Sequence, residues 1–293
     1  MPPPAVPGHL RPLTSLQQMR RVWLPLLALA TAMALIWFTD LASPLHRYGL
    51  LGILLVLLPV LLVLAPLKTF RRQRAVKSIE NGVRRLQAGD LAGAAQDFEE
   101  AARKDVGPLR ALAVHHLALA RTLQGELEGA AQLWEAVDAS RQLYNAPVLQ
   151  EAIQDEVALC RALLGQLPEA KVALARGAAR RQRSPGNLAV LPEAVILLRS
   201  GHPAAAAKLL ETRWREVEAP GGAYTRMARL VRALALEGLE DGRHRASVAD
   251  AIAGARPVAP EDLAPLCARW PEMESFLRGK GLWPANRPSV QEH

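Results

Sequence analysis

Four glycines set the frame of this chain. Gly89, Gly125, Gly165 and Gly201 stand 36, 40 and 36 residues apart. Seven residues before each is a small residue: Gly82, Ala118, Ala158 and Ala194. Five residues after each is an alanine (Ala94, Ala130, Ala170, Ala206), and four further on a large apolar residue (Phe98, Trp134, Leu174, Leu210). Apolar residues between the glycines recur at helical spacing, as in Leu91, Ala94, Ala95, Phe98 and Ala101. A glycine can end a helix in a left-handed turn without a Cβ penalty. The small positions let helices approach and the large ones fill the gaps. A single helix pair cannot bury its apolar face alone, so the pairs must stack.

This pattern resembles that of tetratricopeptide repeats, most closely at Gly82, Gly89, Ala94, Phe98 and Ala101. The resemblance covers residues 75–215 and implies a right-handed α-solenoid whose first helices line a concave groove that receives peptides. Three residues after the first small position, where the family often has an aromatic, this chain has Arg85, Arg121 and Arg161. The last small position is enlarged at Val137 and lost at Arg213, and the family's proline after the second helix is out of register. An irregular pitch is the expected consequence. Residues 216–283 read as a degenerate fifth pair followed by two short helices broken at Pro271, with Trp270, Phe276 and Trp283 covering the open end of the stack.

The N-terminal quarter is of another kind. Val22–Phe38 is a run of 17 residues without a charge, and Tyr48–Leu67 is a second of 20. At ~1.5 Å per residue, runs of these lengths match a hydrocarbon core. Trp23, Trp37 and Tyr48 stand near their ends, as interfacial aromatics do. Residues 22–67 therefore read as a two-helix transmembrane hairpin. A cleavable signal fits less well, because a second spanning run follows at once and no small-x-small site follows Phe38. Neither run carries Asp, Glu, Lys, Arg or His, which favours an anchor over a transport path.

Charge orients the hairpin. Residues 1–74 carry eight basic residues against Asp40 alone, a net +7 of the chain's +8. Arg11, Arg20 and Arg21 precede the first run, and Lys68, Arg71, Arg72, Arg74 and Lys77 follow the second. The excess of basic residues on both flanks places both in the cytoplasm of a bacterial inner membrane; the reversed orientation would put the repeats in the periplasm. The basic flank after the second run would also attract anionic headgroups. With the charge concentrated there, the remaining 28 basic and 27 acidic residues leave no electrostatic footprint for nucleic acid. The two cysteines, Cys160 and Cys267, suit a reducing compartment. The organisation expected is a flexible Pro-rich tail over 1–21, the hairpin over 22–67, a basic linker over 68–74, repeats over 75–215, the cap over 216–283 and a tail over 284–293.

No catalytic, cofactor or metal constellation is visible. The adjacent pair His115–His116 points its rings about 100° apart on a helix, which suits a shared metal poorly. Gly279–Lys280–Gly281 lacks both the first glycine and the hydroxyl residue of a phosphate loop. The groove implied by the family resemblance would include Val83, His115, Leu119, Asp155, Leu159, Val195 and Leu198. Arg85, Arg121 and Arg161 lie near it at one register. Two readings of these arginines stand side by side: stems packed between helices with heads in water, or a basic ladder gripping an acidic segment of a partner. The expected partner-binding set is Arg85, His115, Leu119, Arg121, Asp155 and Arg161. The chain reads as an all-α, non-enzymatic scaffold that holds a protein or peptide at the membrane. The alternative is an accessory subunit whose hairpin also packs against partner transmembrane helices.

Overall fold

A computed structural model describes residues 10, 70–104, 107–143, 147–181, 189–218, 222–239, 244–258 and 260–283. The hairpin expected over 22–67 and the tail over 284–293 lie outside the described residues. Among the described residues every regular element is helical, and no helix is long and apolar enough to cross a membrane.

Thirteen helices follow one another among the described residues. Helix α1 covers 70–87. Then come α2 (Leu91–Lys104), α3 (Pro108–Gln124), α4 (Leu127–Ser140), α5 (Pro147–Leu163) and α6 (Leu167–Arg181). The second half holds α7 (Val190–Arg199), α8 (Pro203–Thr212), the short α9 (Trp214–Glu218), α10 (Gly222–Glu237), α11 (Arg245–Ala255), α12 (Pro260–Cys267) and α13 (Pro271–Gly279). Prolines open α3, α5, α8, α12 and α13, where the missing N–H is no loss. Helix α1 begins inside the stretch expected as a linker over 68–74. Its opening FRRQRA is rich in good helix formers, and nothing in it stops a helix.

The glycine turns are alike. Gly89, Gly125, Gly165 and Gly201 have φ of 82°, 83°, 82° and 80°. Each donates its N–H to the carbonyl three residues back. The next residue donates five back: Asp90 to Arg85, Glu126 to Arg121, Gln166 to Arg161 and His202 to Leu197, at 2.9–3.0 Å. This double bond satisfies carbonyls that a helix end leaves open, and it demands a left-handed residue at the corner. The same turn closes α13 at Gly281, where Leu282 donates to the Leu277 carbonyl at 2.9 Å.

From α3 on, each first helix of the pairs packs between the second helices on either side of it, as α3 does between α2 and α4, and α5 between α4 and α6. A Cβ at Gly82 would stand 2.6–2.9 Å from three ring carbons of Phe98, so the first small position is filled by the ring of its own pair. Phe98 stacks on His116 with centroids 5.2 Å apart, and Trp134 meets His115 edge-on at 4.7 Å. These residues belong to one of two apolar clusters, built from α1–α6 and Leu10; the other runs from Leu127 through α5–α13. Leu10 is fully buried in the first. A residue of the segment expected as a flexible tail thus contributes to the core.

The last two helices do more than close the final pair. Helix α12 packs against both α3 and α10. Between those two first helices lie α5 and α7. An eight-residue helix is only ~12 Å long, whereas three helix spacings of ~8–10 Å separate α3 from α10 in a straight row. The row of first helices therefore bends around α12, which sits inside the curve.

Candidate functional site

The six residues expected to form one groove take three different environments. His115 is buried and packs against Trp134 and His116. Burial, reinforced by His116, pushes its pKa down to about 3, so the ring is neutral. It is a core group on the α4 side of α3. Asp155 is 2% exposed on α5, and Leu119 is half-buried against the first cluster.

The three arginines all lean toward acidic or amide partners of the chain itself. Arg85 Nε lies 3.3 Å from Asp97 on α2, and Arg121 Nε lies 3.6 Å from Glu126 in the next turn. Arg161 donates from Nη2 to Glu135 on α4 and from Nη1 to Gln166, both at 2.7 Å. Arg85 and Arg121 run over Gly93 and Gly129 in the first turn of the following helix. Arg85 and Arg161 thus reach toward second helices. Partly exposed pairs of this kind contribute about 0–1 kcal/mol each. The acids that receive them, at Asp97, Glu126 and Glu135, are the sequence signal that would have shown the direction.

Arg161 does line an open site. A cleft of about 600 Å³ lies between α4 and α6, with α5 as its floor. Glu135 and Asp138 come from α4, Gln154, Val157 and Arg161 from α5, and Pro168, Glu169, Val172 and Arg176 from α6. Asp138 accepts from Gln150 Nε2 at 3.0 Å and Gln154 Nε2 at 2.9 Å, which fixes its carboxylate at the wall. Val172 is 51% exposed, a large apolar side chain left in water at the rim. A mixed floor of Val157, Gln154 and Arg161, a fixed carboxylate and an exposed apolar rim are the ingredients of a protein contact.

The inside of the curve is occupied by the chain itself. Leu263, Leu266, Trp270, Met273, Phe276, Leu277 and Trp283 of the C-terminal segment are buried in the second cluster. At ~1.5–3 kcal/mol of gross burial per large apolar side chain, this is core packing and not a loosely held flap. Arg199 clasps it. Its Nη1 donates to the carbonyls of Ala162 and Leu163 at the end of α5, and its Nη2 donates to the Arg269 carbonyl at 3.1 Å. The guanidinium also lies 5.3 Å from the Trp270 ring centroid. Further along, a Cβ at Gly125 would meet the Ala264 carbonyl oxygen at 3.0 Å, and Arg269 pairs with Glu128. Lys280 of the Gly–Lys–Gly stretch pairs with Glu237 at 2.8 Å. Neither Arg199 nor the Asp138–Gln150–Gln154 set is marked by any motif in the sequence.

Elsewhere on α5, burial and the neighbouring Asp155 raise the carboxyl of half-buried Glu156 to about 7, and burial raises the Cys160 thiol to about 12. Both Cys160 and Cys267 are free thiols. No group of three or more His, Cys, Asp or Glu among the described residues is arranged to hold a metal ion.

Comparison of the chain with protein families, with curated proteins and with solved structures finds no match in any of the three.

Proposed function

We propose that this chain is a membrane-tethered scaffold of the tetratricopeptide type, non-enzymatic, that engages a protein or peptide partner at the cytoplasmic face of a bacterial inner membrane. Residues 22–67 anchor it as a hairpin. The stack of helix pairs presents the partner surface. The observation that carries this reading is the contrast between the two faces of the stack: the C-terminal segment fills the inside of the curve, while the α4–α6 cleft stays open around Arg161, Asp138 and exposed Val172. The partner surface moves accordingly from the concave groove to that cleft.

Leu10 supports the orientation. It is buried in the same cluster as residues of α2–α5, yet it precedes the first apolar run. The N-terminal flank and the helix pairs then share one side of the membrane, which requires an even number of crossings. Two runs of spanning length meet that requirement. Tethering raises local concentration, so a modest cleft suffices to hold a partner.

The test is co-purification from detergent-solubilised native membranes. The intact chain is compared with Arg161→Ala/Arg176→Ala and with Arg85→Ala/Arg121→Ala, at unchanged helicity. Release of the partner by the first double change alone supports the cleft. Retention in both counts against it and favours the accessory-subunit reading, in which the hairpin is the interface.

A further inference from the structure

The first helix carries a feature that a stacked pair does not need. Its inward face is closed: Ala75, Ser78 and Ile79 are buried, and Gly82 meets Phe98. Its outward face carries Arg72, Gln73, Val76, Lys77, Glu80 and Arg84, all exposed. Phe70 at its start is 61% exposed. Residues 70–87 hold six basic side chains against Glu80, a net +5, while Arg85 alone of the six turns to Asp97. A basic helix face beside an apolar run of spanning length has the composition of a juxtamembrane segment drawn to anionic headgroups, and Val76 on that face is exposed. The helix begins three residues after Leu67, where the second apolar run ends.

We infer that the outward face of α1 lies on the anionic headgroups of the bilayer, so that the stack rests against the membrane on α1 and does not swing freely from its anchor. The occupant of this face is an anionic lipid surface. Charge complementarity argues for it, as does the position of α1 directly after a spanning run. Each basic side chain at such a surface strengthens binding about fivefold, and the attraction fades beyond a Debye length of ~10 Å. This inference rests on the anchored reading of residues 22–67.

The test uses the full chain in vesicles of zwitterionic lipid alone or with anionic lipid added, with a fluorophore at Val76→Cys and quenchers on the lipid. Cys160→Ala and Cys267→Ala form the background, and Lys208→Cys, at an exposed position of α8, is the reference site. The expected result is quenching at position 76 well above that at 208, larger with anionic lipid and reduced by high salt. Arg72→Gln/Lys77→Gln/Arg84→Gln is expected to weaken the contact about a hundredfold, at about fivefold per charge. Equal quenching at 76 and 208, or no dependence on anionic lipid, overturns the inference. Alkaline carbonate washing separates the two claims. Retention in the membrane with position 76 unquenched overturns the α1 contact alone. Release with position 76 quenched before the wash overturns the anchor alone.

Discussion

The two ends of the stack solve the same packing problem with different material. In the first two pairs the large position is aromatic, Phe98 and Trp134, and both rings are buried against their own and neighbouring helices. In the third and fourth pairs the same position is Leu174 and Leu210. The buried aromatic side chains of the second cluster are Trp270, Phe276 and Trp283, all from the segment after the last pair. The first half closes itself with residues written into the repeat. The second half, with smaller residues in the repeat, closes around a segment brought in from the C-terminus. A repeat can thus lose side-chain volume without losing its core, provided that a distant part of the chain restores the volume.

The largest expected effects test this division directly. Trp134→Ala and Trp270→Ala each remove a buried indole and are expected to cost ~3–5 kcal/mol. Hydrogen exchange should place the losses differently, with Trp134→Ala opening α2–α5 and Trp270→Ala opening α10–α13. Uniform loss along the chain in both variants would merge the two halves into one unit. Next comes Arg199→Ala. It removes charge-assisted bonds to three carbonyls and the contact with Trp270, an expected loss of ~1.5–3 kcal/mol. Thermal unfolding with exchange mapping checks that the loss centres on α12–α13. Gly82→Ala drives a methyl into the Phe98 ring and is expected to cost ~1–3 kcal/mol. Gly82→Ala/Phe98→Leu should recover part of that loss; no recovery would detach the small position from its ring.

The smallest net effect is a pH dependence, because groups of opposite sign offset each other. His115 and His116 are held neutral by burial, His115 with its pKa near 3. The contribution of His115 to stability is complete above the unfolded value of about 6.5 and is lost as pH falls toward 3; that of His116, lowered by burial, is likewise lost on acidification. Glu156, raised to about 7, has the opposite sign: its contribution is complete below the unfolded value near 4.5 and is lost as pH rises through 7. The two oppose each other between about pH 4.5 and 6.5. Each group changes stability by at most ~1.4 kcal/mol per pH unit. Glu156→Gln is therefore expected to expose a steeper loss on acidification from pH 6.5, and His115→Phe a shallower one. Denaturant unfolding across that range checks both slopes.

Much of the fold was legible because its rules are local. Four glycine turns, the small residues before them and the apolar face after them each concern neighbours within a helix turn or one pair. Reading Gly82, Ala94 and Phe98 gave the helix pair, and the close approach of Gly82 to Phe98 follows from it. The position of α12 was not legible. Its contact with α3 joins Ala264 to Gly125 across more than a hundred residues, and it depends on how far each pair rotates on the last. The terminal aromatics announced burial, but they were expected over the open end of the stack, and the segment that carries them lies inside the curve. The arginine register was read and its direction was missed: the acids that orient Arg85 and Arg161 are present on the second helices, but 12 and 26 residues away in the chain. The α4–α6 cleft gave no signal in advance, since Gln150, Gln154 and Asp138 become a set only when two helices pack.

The central claim is that the C-terminal segment lies inside the curve, against the second pair. Disulfide trapping tests it most directly. A Cβ at Gly125 would stand 3.5 Å from the Ala264 Cβ, within the range of a disulfide. The equivalent turn at Gly89 has nothing within 4 Å of its own Cβ, at nearly the same φ. In a background lacking Cys160 and Cys267, Gly125→Cys/Ala264→Cys is expected to oxidise to one intramolecular, reducible link. Gly89→Cys/Ala264→Cys is expected to stay reduced. Linkage in both pairs, or in neither while helicity and thermal unfolding stay unchanged, would contradict the account.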